Sequence, residues 1–131
     1  MNKKLLGILL CILLVLTACQ SKIPDGVSEE FYKEVKGLVV HLVENIDEYK
    51  SGKPHSLMST PEYKKVLEMQ NNYENYNGAE QDIIDYLWLL YDSVNFYYSD
   101  SSSFDIDDII EIGTKLSELM NFKIDVPKLI K

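Results

Sequence analysis

The sequence contains no arginine, so all 13 of its basic residues are lysine. Arginine's planar guanidinium is the usual means of gripping a phosphate or a base edge with two hydrogen bonds at once. A chain of formal charge −8 also repels a polyanion as a whole. A nucleic-acid partner is therefore excluded from the reading. Cysteine is nearly absent too: Cys11 and Cys19 are the only two, with neither the number for a disulfide framework nor the paired spacing of a zinc site. The six glycines stand singly, which leaves out the phosphate-cradling and dinucleotide-binding loops, and no Gly-x-Ser-x-Gly elbow occurs. No apolar run reaches the ~20 residues that a membrane-spanning helix needs.

Histidine is almost as scarce. His41 and His55 lie fourteen positions apart without the spacing that puts two imidazoles on one helix face. The acidic segment Asp100–Glu111 begins and ends like a calcium-binding loop. Phe104 stands where that loop needs an oxygen ligand, and Asp105 stands where it needs glycine for the sharp turn. Adjacent acids such as Glu29 and Glu30, or Asp107 and Asp108, point in different directions on a helix and do not flank one bond. The expectation is a protein that is not an enzyme and holds neither metal nor cofactor.

What is present begins at the N-terminus. Met1-Asn2-Lys3-Lys4 brings two positive charges and no acid, and an apolar run follows from Leu5 to Leu16. That run is the length of a signal-peptide core. It ends in Leu16-Thr17-Ala18-Cys19: an aliphatic residue, a small hydroxylated one, alanine, then cysteine. The four residues resemble the lipobox of bacterial lipoproteins, and the resemblance covers residues 1–19. It implies that the thiol of Cys19 receives a diacylglyceryl group and that a dedicated signal peptidase cuts in front of it. Leu16, Thr17 and Ala18 would be the recognition residues lost with the signal. Residues 1–18 are then the signal peptide, 19–27 the lipidated cysteine with a short tether, and 28–131 the folded domain. The place implied is the extracytoplasmic face of the cell membrane. Cys11 would leave with the signal, so the mature protein would carry no free thiol. Two acyl chains hold a protein stably where one does not. The body needs no greasy patch of its own to stay beside the bilayer.

Beyond the tether, whose Pro24, Asp25 and Gly26 read as a turn, the pattern is helical throughout. Ser28 is placed to cap a helix with Phe31, Val35, Leu38, Val39, Leu42, Val43, Ile46 and Tyr49 on one face, ending at Ser51-Gly52-Lys53-Pro54. Thr60-Pro61-Glu62 opens a second helix, stopped by Asn77-Gly78. A third, from Ala79 to about Tyr98, is apolar around most of its circumference and is expected at the centre. Asp105, with Asp108 three residues on, caps a last helix that ends near Asn121. Phe122, Ile124 and Val126 are expected to pack as an extended strip, with Pro127 opposing further helix. No strand pattern competes. The fold class is all-α, a small three- or four-helix bundle.

Two groups of residues stand out. Asp85, Leu89, Asp92 and Phe96 share one stripe of the third helix, either as core against a fourth helix or as an acid-flanked apolar contact for a partner. Among the nine tyrosines, Tyr73, Tyr76 and Tyr97 either line the ends of the bundle or converge on a groove for a peptide or sugar. The function expected is therefore that of a membrane-anchored accessory protein that binds another envelope protein. The alternative is a small-ligand-binding lipoprotein with a tyrosine-lined groove.

Overall fold

The computed structural model describes residues 22–52, 55–99 and 104–131. Leu16, Thr17, Ala18 and Cys19 lie outside the described residues. Those that are described form an all-α domain without strands. Its α-helices are α1 (Glu29–Glu44), α2 (Ile46–Ser51), α3 (Pro61–Asn71), α4 (Gly78–Tyr97), α5 (Ile106–Met120) and α6 (Val126–Ile130), with short 3-10 turns at Ser56–Ser59 and Tyr73–Asn75.

The helix starts follow from local chemistry. The Ser28 hydroxyl accepts from Phe31 N, Thr60 from Tyr63 N with Pro61 in the first turn, and Asn77 from Glu80 N. Asp105 and Asp108 complete a reciprocal capping box, each carboxylate taking the other's backbone N–H. Asn121 closes α5 at φ 47, a left-handed conformation that asparagine tolerates better than most residues.

Three expectations change in the structure. The first helix is broken at Asn45. There the side-chain amide takes the His41 carbonyl beside its own backbone N–H, and the regular turn is lost before α2 begins. Asn77-Gly78 is a beginning: the asparagine caps α4. The tail is also more helical than expected, because Pro127 sits in the first turn of α6, where a missing N–H costs nothing.

The four long helices run alternately. α4 packs against α1, α3 and α5, and α6 lies on α5 and α1. Ile83, Ile84, Leu87, Leu90, Tyr91 and Val94 of α4 are all essentially buried, and each apolar side chain so placed contributes about 1.5–3 kcal/mol. Facing them are Val35, Val39 and Leu42 from α1, Val66 and Met69 from α3, and Ile109, Leu116 and Met120 from α5. Tyr91 brings its hydroxyl into this core and donates it to the Leu38 carbonyl at 2.6 Å.

Gly113 lets α6 approach α5. A Cβ built there would stand 2.7 Å from Val126 Cγ2, closer than real carbon contacts allow. Val126 is β-branched and stiff, so the overlap is not relieved by a small rotation. Gly113→Ala should therefore lower stability by about 1 kcal/mol in urea titration, since overpacking of about 1–3 kcal/mol exceeds the roughly 1 kcal/mol gained in helix propensity. In a Val126→Ala background the same substitution should change sign and stabilise.

Candidate functional site

The α4 stripe lies along the seam with α3, and it is neither core nor free surface. All four of its residues are half-buried. Each acid is held by a tyrosine from the α3 side: Tyr73 donates its hydroxyl to Asp85 Oδ2 at 3.1 Å, and Tyr63 donates to Asp92 Oδ1 at 3.2 Å. The Tyr63 ring also packs edge-on to Trp88 and leans on Tyr91. Leu89 rests against the core. Phe96 continues outward to Phe104, with ring centroids 6.4 Å apart, and to the imidazole of His55 at 5.8 Å. The outer edge of the seam thus presents Leu89 and Phe96 with two pinned carboxylates between and beside them.

Burial in that seam alters the two groups of the Tyr63–Asp92 pair. The Asp92 carboxyl is pushed above the ordinary value of 3.8 by desolvation, partly offset by the Tyr63 hydrogen bond. The Tyr63 hydroxyl is pushed up to about 12, first by burial and then by the neighbouring carboxylate. At neutral pH the pair is a phenol donating to an anion.

The two histidines lie in different settings, His55 exposed and His41 in contact with groups from other elements. His41 is half-buried where α1, α2 and α3 meet. Its Nε2 lies 3.3 Å from Tyr49 Oη and 3.4 Å from Glu62 Oε2, and its Nδ1 faces the Asn45 amide at 3.4 Å. The Asn45 amide can donate to Nδ1, and Nε2 faces the Tyr49 and Glu62 oxygens. His55 adopts φ 62 and turns Nδ1 toward the Asn95 amide at 3.3 Å, while its backbone N–H donates to Ser99 Oγ at 3.0 Å. Asn95 is buried, and its Oδ1 has no hydrogen-bond partner. A cavity of about 10 Å³ adjoins it, the size of one water molecule. Asn95 was the polar position to notice in the sequence, since it follows Tyr91 by four residues and so lies on the buried face of α4.

The three tyrosines are not brought together. Tyr73 and Tyr76 stand before α4 begins, with Tyr76 packed against Phe31. Tyr97 closes α4 at its other end, packed on Tyr98. The 20 residues of α4 rise about 30 Å between them, so one groove lined by all three is not what this fold builds.

Other recesses lie elsewhere. An open cleft of about 390 Å³ between α2 and α6 carries Asp47, Lys50, Asp125, Lys128 and Lys131. An apolar groove of about 190 Å³ between α1 and the segment before α6 is lined by Val39, Val40, Val43, Phe122 and Ile124. Among the described residues no three His, Cys, Asp or Glu side chains gather as a metal site. The chain matches no protein-family model, and neither a curated protein nor a solved structure shows significant similarity to it.

A pH dependence follows from Asp92. A raised carboxyl pKa means that the folded protein binds this proton more tightly than the unfolded chain does. The stability tied to the protonated form is fully present below 3.8 and is lost as pH rises through the higher folded value. Asp92→Asn keeps an acceptor for Tyr63 and removes the charge. The variant should be more stable than the parent at neutral pH, and the difference should close as pH falls below 3.8. Urea midpoints measured across that range check it.

Proposed function

We propose that this protein is an extracytoplasmic lipoprotein, held to the cell membrane by a diacylglyceryl group on Cys19. Its helical bundle works without catalysis by contacting another envelope protein. The observation that carries the reading is the sequence of residues 1–19: two lysines, an apolar run too short to span a bilayer, and Leu16-Thr17-Ala18-Cys19 at its end. Among the described residues no helix is long and apolar enough to cross a membrane.

The contact surface that fits this reading best is the α3–α4 seam. Apolar groups rimmed by acids, on a helix whose other faces are occupied, suit a protein partner. Asp85 and Asp92 are already positioned by Tyr73 and Tyr63, so little side-chain freedom would be lost on binding. Exposed Met58, Ile106 and Ile110 are further apolar points beyond it.

Cys19→Ala is expected to leave the precursor uncut and unlabelled by radioactive palmitate in growing cells, whereas the parent is shortened and labelled. Equal labelling of both would end the anchor reading. For the surface, a photocrosslinking residue at Leu89 should yield a discrete adduct in intact cells, and one at exposed Glu111 should not. The same yield at both positions would remove the seam as the contact.

A further inference from the structure

The stretch read as a short tether between Cys19 and the bundle is tied down from Lys22 onward. The Lys22 carbonyl accepts from Asn121 Nδ2 at 3.0 Å, at the residue that ends α5. Ile23 and Val27 pack against the core. Pro24–Val27 closes a turn, with Val27 N donating to the Pro24 carbonyl at 3.2 Å, and Gly26 supplies the φ of 80 that such a turn needs at its third residue. The Gly26 carbonyl then accepts from Asn77 Nδ2 at 2.8 Å, and Ser28 N donates to Glu80 Oε1 at 3.0 Å, both at the start of α4. Residues 22–28 therefore form a strap across one end of the bundle, where α1 and α4 begin and α3 and α5 finish.

This strap restricts where a lipid on Cys19 can be. Two residues, Gln20 and Ser21, lie between Cys19 and Lys22, which makes three steps along the chain, and an extended chain spans at most about 3.6 Å per step. Chain length alone keeps the Cys19 Cα within roughly 11 Å of Lys22, whereas α4 alone is about 30 Å long. The opposite end carries Met58, His55, Phe96, Phe104 and Ile106.

We propose that the strapped end, made of residues 22–28, the Tyr73–Asn77 turn and Asn121, is the face this protein lays against a phospholipid surface. The far end is turned toward the envelope space. The proposal rests on the lipid-anchor reading. The composition of the face fits contact held by a tether. Exposed Asp25, Glu29, Glu30 and Glu74 stand against Lys22 and Lys33, so the end has no surplus of positive charge to draw anionic headgroups. Exposed Asn75 is neutral and offers an amide to headgroup oxygens, while the amides of Asn72, Asn77 and Asn121 are already donated to the carbonyls of Glu68, Gly26 and Lys22.

The test uses the full lipidated protein in phosphatidylcholine vesicles that contain a headgroup-level nitroxide lipid. With Cys11 lost and Cys19 acylated, an added cysteine is the sole reactive thiol. A fluorophore is placed by Glu74→Cys at the strapped end or by Met58→Cys at the far end, with Asn75→Cys and Ile106→Cys as a second pair. All four positions are exposed. Mass spectrometry of the same samples reads the acyl group on Cys19. Quenching several-fold stronger at positions 74 and 75 than at 58 and 106 is the expected result. An acylated, vesicle-bound protein with equal quenching at both ends, or stronger quenching at the far end, overturns the orientation and leaves the anchor standing. A Cys19 without lipid overturns the anchor reading and this proposal with it.

Discussion

The structure depends on burying α4. A helix apolar over most of its circumference needs cover on several sides, and in this fold α1, α3 and α5 supply it. The described core contains no disulfide, and Gly113 lets α6 come close to α5. Cohesion therefore comes from side-chain packing, and packing of aliphatic groups alone leaves registers nearly equal in energy. Tyr91 breaks that degeneracy. Its hydroxyl is deep in the core and costs stability unless it finds an acceptor, and the one it reaches is the Leu38 carbonyl on α1. Sliding α1 by a residue along α4 would lose that bond and leave a buried donor without a partner. Glu80 acts similarly near the end of the same helix pair, where its carboxylate receives Ser28 N.

The parts of this fold that were legible in the sequence are those decided within four residues. Ser28, Thr60 and Asp105 each announced a helix because a short polar side chain reaches its own backbone three residues on. Asn121 announced an end for a related reason. The features that were not legible depend on distant residues. Asn77-Gly78 carries the composition of a break, and composition does not say whether the chain stops or starts there. That was settled by where the Asn77 amide and carbonyl oxygen found partners, one of them 51 positions away at Gly26. Pro127 permits a helix that begins at it and forbids one that reaches it, and the packing of Leu129 against the core decided between them.

The candidate surface shows the same division. Four-three-four spacing placed Asp85, Leu89, Asp92 and Phe96 on one stripe. It carried no information that Tyr73 and Tyr63 would hold the two acids, because those bonds cross between elements. Tyr73, Tyr76 and Tyr97 looked like a group because they share a chemistry. Tyr97 differs from the others by the whole length of α4, and a helix separates its ends in proportion to its residue count. Glu62 and Tyr49 came to His41 from two other elements, which no periodicity along α1 could reveal.

The strap at residues 22–28 ties the chain that follows Cys19 to the fold. In a freely tethered domain the linker contributes nothing to the bundle, and the bundle says nothing about the linker. Here Asn77 caps α4 with its side-chain oxygen and grips the Gly26 carbonyl with its side-chain nitrogen, so one amide serves both helix initiation and attachment. Asn121 likewise ends α5 in a left-handed turn and holds the Lys22 carbonyl. A Cβ on Gly26 would come within 3.3 Å of Ala79 Cβ and would also strain the turn, which ties the strap's shape to the first turn of α4. The chain that leads back toward Cys19 is therefore released only by disturbing the start of the central helix α4 and the end of α5 packed on it. An acyl anchor on Cys19 would hold this bundle by a fixed end rather than by a loose thread.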